Sequence, residues 1–362
     1  MRLRQSLLVL AAILAASLLV PASSLACPAR PAGLVPSAGM LLGAYVNPNE
    51  SWLGLQDDEQ KVTTFESMVG RRLDIDMHYY QWDAAFPTAL EQWDATNCRV
   101  PMISWAGTRL DDINSGGQDK LIRARARAVA QFGQPVFIRW GYEMNGDWFG
   151  WTAARSPDTA AAFVAAWRRI HRIFKAAGAR NATWVWAPNE TALPTESWRD
   201  PRRYYPGDDV VDWVGIDGYN WGSSSSSFAW RSFSEIFTPV YAEYAARKPI
   251  MIAETASTED GGSKATWIDD MNRSLSSEFP QVRALVWFHS NKETDWRVDS
   301  SPAALDAFRR LTLWRRRAPR ASLRSPCRVA VSRRQPASLR SSRSPRARTG
   351  SRAAQPRAPT CR

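Results

Sequence analysis

The sequence predicts an α/β protein folded as a (β/α)8 barrel with a single catalytic domain, and three observations carry that expectation. Short apolar runs rich in β-branched and aromatic residues alternate with helical stretches about eight times between residues 40 and 314. The runs are apolar almost throughout, as strands covered on both faces are. No GxGxxG follows the first run and no GxxxxGK[ST] occurs, which removes support for the nucleotide-binding versions of a doubly wound sheet.

In chain order the strand candidates are Leu41–Asn47, Leu73–His78, Val100–Trp105, Pro135–Trp140, Thr183–Ala187, Val211–Asp217, Pro249–Ala253 and Ala284–His289. The clearest helical stretches are Gln118–Phe132, Ala160–Ala177, Phe233–Ala246, Ala265–Phe279 and Pro302–Leu313. Within Ala160–Ala177, Phe163, Trp167, Ile170 and Phe174 recur at spacings of three and four, one face of a helix. Gly178 is its expected stop.

The ends differ in composition from this centre. Residues 1–26 open with Arg2 and Arg4, continue with an apolar run from Leu7 to Val20 and end on small residues, the pattern of a secretory signal peptide. The expected location is therefore extracellular. A lipoprotein anchored at Cys27 is the alternative, and no other membrane association is expected. Residues 27–39 read as a Pro/Ala/Gly linker. The net charge of +12 misleads, because residues 315–362 hold 15 Arg and no Lys, Asp or Glu, leaving −3 for everything else. That tail repeats Arg, Pro, Ser and Ala and reads as disordered, either an accessory tail or a shifted reading frame. It has no aromatic residue for base stacking, so no nucleic-acid partner is expected. A monomer is expected.

Cys27, Cys98, Cys327 and Cys361 form no CxxC pair, and a Cys27–Cys98 bridge is one pairing open to an exported chain. The three histidines, His78, His171 and His289, are scattered, so neither metal nor organic cofactor is expected.

Active sites of such barrels are built at the C-terminal ends of the strands. Those ends carry Asp76 and His78, then Arg139 and the block Gly141-Tyr142-Glu143-Met144-Asn145-Gly146-Asp147-Trp148-Phe149. Asn189 and Glu190 follow the fifth strand, Asp217 and Tyr219 the sixth, Glu254 the seventh, and Trp287, His289 and Trp296 the eighth. Carboxylates thus end the fourth and seventh strands, which face each other across the mouth of an eight-membered ring. Glycoside hydrolysis needs two carboxyl groups flanking the scissile bond, one to protonate the leaving oxygen and one to attack the anomeric carbon. The chain has 18 Trp, several interleaved with Asn, Asp and Gly in loops. Trp148 and Trp287 are the candidates for stacking on sugar rings, which have apolar faces and polar rims.

The block Arg139–Phe149 resembles the acid/base signature of glycoside hydrolase family 26. Residues Trp184–Asn189, Tyr205–Tyr219 and Ile252–Thr255 are similar to it in order and spacing, and the resemblance spans about residues 40–314. It implies a retaining barrel enzyme acting on a β-linked polysaccharide, β-1,4-mannan first, with β-glucan, β-1,3-xylan or a non-catalytic carbohydrate-binding barrel as alternatives. It also implies Glu143 as acid/base, Glu254 as nucleophile, and Trp148 and Trp287 beside the cleavage point. Tyr219 would hydrogen-bond Glu254, Arg139 and Asp217 would position these groups, and His78 would share the cleft. Asn189 would touch sugar. Glu190, in an Asn-Glu pair typical of related families, is a rival acid/base. Mannanases of family 26 usually carry His before the acid/base, where this chain has Tyr142.

Overall fold

The computed structural model describes residues 27–51, 53–149, 159–191 and 196–313. The signal peptide expected at 1–26 and the tail at 315–362 lie outside these residues.

Eight parallel strands close into one barrel in sequence order: β1 (Leu41–Asn47), β2 (Ile75–Tyr80), β3 (Val100–Trp105), β4 (Val136–Trp140), β5 (Ala182–Trp186), β6 (Trp213–Asn220), β7 (Ile250–Ser257) and β8 (Val282–Ser290). β1 closes the ring on β8, with Leu41 opposite Ala284 and Asn47 opposite Ser290. The helices are α1 (Leu55–Val69), α2 (Ala89–Thr96), α3 (Leu110–Asn114), α4 (Asp119–Phe132), α5 (Thr159–Ala176), α6 (Phe233–Tyr244), α7 (Lys264–Ser277) and α8 (Pro302–Leu313). Alternation is irregular at two places. β3 is followed by two helices, α3 and α4. Among the described residues, β5 and β6 are joined by two 3-10 turns, Ser197–Arg199 and Pro201–Tyr204.

All seven residues of β1 are buried, as the unbroken apolar run requires. Gly43 makes its packing feasible: a Cβ there would lie 2.8 Å from Ile75 Cβ and 3.0 Å from Val286 Cγ2. α5 buries Phe163, Trp167, Ile170 and Phe174, the face its spacing marks. Each such side chain contributes about 1.5–3 kcal/mol on leaving water. Gly178 sits at φ 79°, and the Ala179 amide donates back to the Phe174 carbonyl at 3.1 Å, closing the helix end.

β6 and β7 run three and four residues past the apolar segments that mark them, because backbone pairing continues where side chains turn polar. The register shifts between Ile216 and Asp217, so that Ile216 opposes Ile252 but Asp217 opposes Glu254. The bulge re-aims the strand end.

Residues 27–39, expected as a linker, are tied to the barrel. Cys27 and Cys98 form a disulfide with Cα atoms 5.2 Å apart. Trp213 Nε1 donates to the Gly33 carbonyl at 2.7 Å, and Leu34 is buried. Among the described residues no helix is long and apolar enough to cross a membrane.

Candidate active site

Arg139, on β4, is wholly buried at the centre of the site. Its Nη1 lies 2.6 Å from Glu254 Oε1 and donates to Ser104 Oγ at 2.9 Å, while its Nη2 pairs with Asp217 Oδ2. The Tyr142 ring covers its guanidinium at 4.4 Å. A buried guanidinium is tolerable only with anions beside it, and here β6 and β7 supply one each. Two hydroxyls complete the shell of Glu254: Tyr219 donates to Oε2 at 2.6 Å, and Tyr79 donates to Oε1. Glu254 is thus oriented from β2, β4 and β6 at once.

Glu143 follows β4 in a tight turn. Gly141 has φ 60° and Glu143 itself φ 52°, a left-handed conformation costing a non-glycine residue on the order of 1–3 kcal/mol. Hydrogen bonds hold it there. The Glu143 amide donates to the Ala187 carbonyl at 2.8 Å, and the Gly146 amide to the Glu143 carbonyl at 3.0 Å. Asn145 exchanges two side-chain bonds of 2.9 Å with the Asn189 backbone, tying the turn to the end of β5. Asn189 Nδ2 donates to Glu143 Oε1 at 2.6 Å and Trp148 Nε1 to Oε2 at 2.7 Å. The Trp148 ring crosses Gly146 so closely that a Cβ there would sit 2.3 Å from it. The Glu143 carboxyl is pushed up to about 7, first by burial and then by the charge of Glu254, against the opposing hydrogen bonds of Asn189 and Trp148.

Both carboxyl groups line one cleft of about 620 Å³. Its walls are aromatic, with Tyr45, Trp148, Phe149, Trp221, Phe288 and Trp296 among them. Trp148 is 42% exposed, as a stacking platform needs to be. Two expected residues are elsewhere. His78 is on the outer face of β2, with Nε2 2.9 Å from Asp94 on α2. Side chains alternate along a strand, and Tyr79, not His78, faces Glu254. Trp287 likewise points outward from β8. It is fully buried, packs edge-on to Phe308 at 5.2 Å and donates to the Trp296 carbonyl. Phe288 faces the cleft in its place.

Tyr79, Phe288 and Ser104 are therefore members of the site that sequence reading missed. Tyr79 shares its face of β2 with Met77, which Arg139 also touches, and only that contact tells the inner face from the outer. Glu190 lines the cleft, but its carboxylate is engaged by Arg231 at 2.6 Å. The one group of described side chains spaced for a metal ion, Asp76, His78 and Asp94, lies outside the cleft.

Comparison with known proteins agrees with this geometry. Over 281 residues the chain is 38% identical to Endoglucanase H of Acetivibrio thermocellus, covering 75% of this chain and 30% of that protein. Over 206 residues it is 25% identical to a mannan endo-1,4-β-mannosidase of Bacillus subtilis, covering 55% of this chain and 48% of that one. It therefore spans less than half the length of these relatives. The fold matches a family 26 β-mannanase from Bacteroides ovatus with a TM-score of 0.55 at 17% identity, over 76% of this chain and 88% of that one. The model of glycosyl hydrolase family 26 matches residues 92–274, a span that includes both Glu143 and Glu254, and the chain belongs to that family.

Proposed function

We propose that this chain is an exported endo-β-glycosidase that cleaves a β-linked polysaccharide, β-1,4-mannan first, with retention of configuration. The observation that carries the reading is one cleft holding two glutamates in opposite surroundings. Glu143 is lifted to about 7, fit to carry a proton at neutral pH, while three donors orient Glu254. In the first step Glu143 protonates the glycosidic oxygen as a Glu254 oxygen attacks the anomeric carbon, forming a glycosyl ester and releasing the leaving chain. In the second, Glu143 takes a proton from water, the water oxygen displaces Glu254, and both groups return to their starting states. Aromatic walls bind the apolar faces of the sugar rings.

A second reading is a β-glucan backbone, and Tyr142, at the position where mannanases usually carry His, departs from the mannanase pattern. The 38% identity to a protein named as an endoglucanase points the same way. The leader at 1–26 and the disulfide support export, because such bridges persist in oxidising compartments. The same bridge argues against the lipid anchor, which would need the Cys27 sulfur.

Proton NMR of the first product released tests the mechanism: the β-anomer is expected, and the α-anomer would overturn it. Reducing ends released from β-mannan, glucomannan, lichenan and β-1,3-xylan decide the backbone.

A further inference from the structure

We propose that Asp76, His78 and Asp94 bind one first-row divalent cation of the zinc type, which clamps β2 to α2 behind the nucleophile. Asp76 and His78 lie two residues apart on the outer face of β2, and Asp94 comes from α2. One ligand atom from each lies within 4.8 Å of the others. His78 Nε2 is 2.9 Å from Asp94 Oδ2 and 3.6 Å from Asp76 Oδ2.

Asp76 is the observation that asks for a ligand. It is 1% exposed, and neither of its carboxylate oxygens receives a hydrogen bond from a protein donor; its neighbours are the Asp94 carboxyl and His78 Nε2 at 3.6 Å. Asp94 is fully buried and its Oδ1 receives no hydrogen bond either. Buried carboxylates ordinarily collect donors, because losing water without replacement is costly. These two face each other and an imidazole instead.

The nearby cations do not balance the cluster. Arg99 gives Nε and Nη2 to Glu66 at 2.8 Å each, and its Nη1 stays 3.8 Å from Asp94. Glu91 lies beside them, holding the Tyr80 hydroxyl and the Thr88 amide at 2.6 Å each. Three carboxylates therefore share one imidazole, and a divalent ion replacing the imidazole proton lowers the excess negative charge by one.

The donor set selects the ion. One imidazole nitrogen and two carboxylate oxygens suit zinc or its first-row neighbours, whereas calcium and magnesium favour oxygen-only shells. A cavity of about 320 Å³, lined by Asp58, Asp76, His78, Tyr80 and Thr88 among others, offers a path for the ion and room for a water ligand. The opposite face of β2 presents Tyr79 to Glu254, so the ion would stiffen the strand without touching substrate.

The test uses the full chain, stripped with a chelator, incubated with Zn2+ and desalted. Wild type is expected to retain about one equivalent, with an X-ray absorption shell of nitrogen and oxygen only and a Tm several degrees higher. Asp76→Asn and His78→Gln should lose both the equivalent and the shift, whereas His171→Ala keeps them. No retained zinc in wild type would overturn the proposal. So would a sulfur shell, reporting Cys327 or Cys361, or undiminished retention in Asp76→Asn. The wild-type stoichiometry and spectrum decide the matter even where a variant fails to fold.

Discussion

In the proposed cycle Glu143 gives a proton in one step and accepts one in the next, so its environment sets the working pH. With its carboxyl at about 7, the proton-donating form is lost above neutrality. A pH profile of kcat/KM should fall about tenfold per unit on that side, with an apparent pKa near 7. The same shift acts on stability, with a definite sign. The folded carboxyl titrates above its ordinary 4.5, so the contribution favouring the fold is full below about 4.5 and is lost as pH rises through about 7, to the extent of ~3 kcal/mol. Thermal melts should therefore show Glu143→Gln gaining on wild type at pH 8 relative to pH 4.5. The shell of Glu254 is testable by deleting single hydroxyls. Tyr79→Phe and Tyr219→Phe each remove a donor to a charged group, worth about 1.5–3 kcal/mol. Each should lower kcat roughly 10- to 100-fold with KM little changed. A larger effect on KM than on kcat would place these tyrosines on the substrate instead.

At the scale of the element, strand alternation decides which residues do chemistry. β8 carries Trp287 outward into α7 and α8 and Phe288 inward against Tyr45, whose ring it meets at 4.9 Å. Trp287→Ala should cost about 3–5 kcal/mol in denaturant melts and leave KM near wild type. Phe288→Ala should raise KM at a smaller cost in stability. α2 offers a simpler check. Thr88 caps it reciprocally with Glu91, and Thr88→Ala should cost about 1 kcal/mol. Glu91 also holds Tyr80, so the loss is expected to spread to the outer face of β2.

For the whole molecule, the disulfide is the strongest single covalent constraint among the described residues. It joins residues 71 apart, and a loop of that length restricts the unfolded chain by about 4 kcal/mol. Net stabilities of single domains are about 5–15 kcal/mol, so this is a large share. Cys27→Ser with Cys98→Ser should lower Tm substantially while leaving kcat intact, since Cys27 and Cys98 do not line the cleft. Loss of activity at temperatures where the variant remains folded would show that the tether also shapes the site.

Residue type and order alone determined the eight strands, most of the helices and the position of Glu143 and Glu254 at strand ends, because apolar runs and strand ends are local signals. The polar extensions of β6 and β7 were not legible, since the backbone ladder there continues without apolar side chains to mark it. Nor were Tyr79 and Phe288. A strand's two faces are chemically alike when both are covered, so only the closed barrel decides which one looks inward. His78 and Trp287 fell on the wrong side of that ambiguity, one residue from the correct position in each strand. The meeting of Asp76 and His78 with Asp94 belongs to the same class, because the contact exists only once α2 has packed against the back of β2.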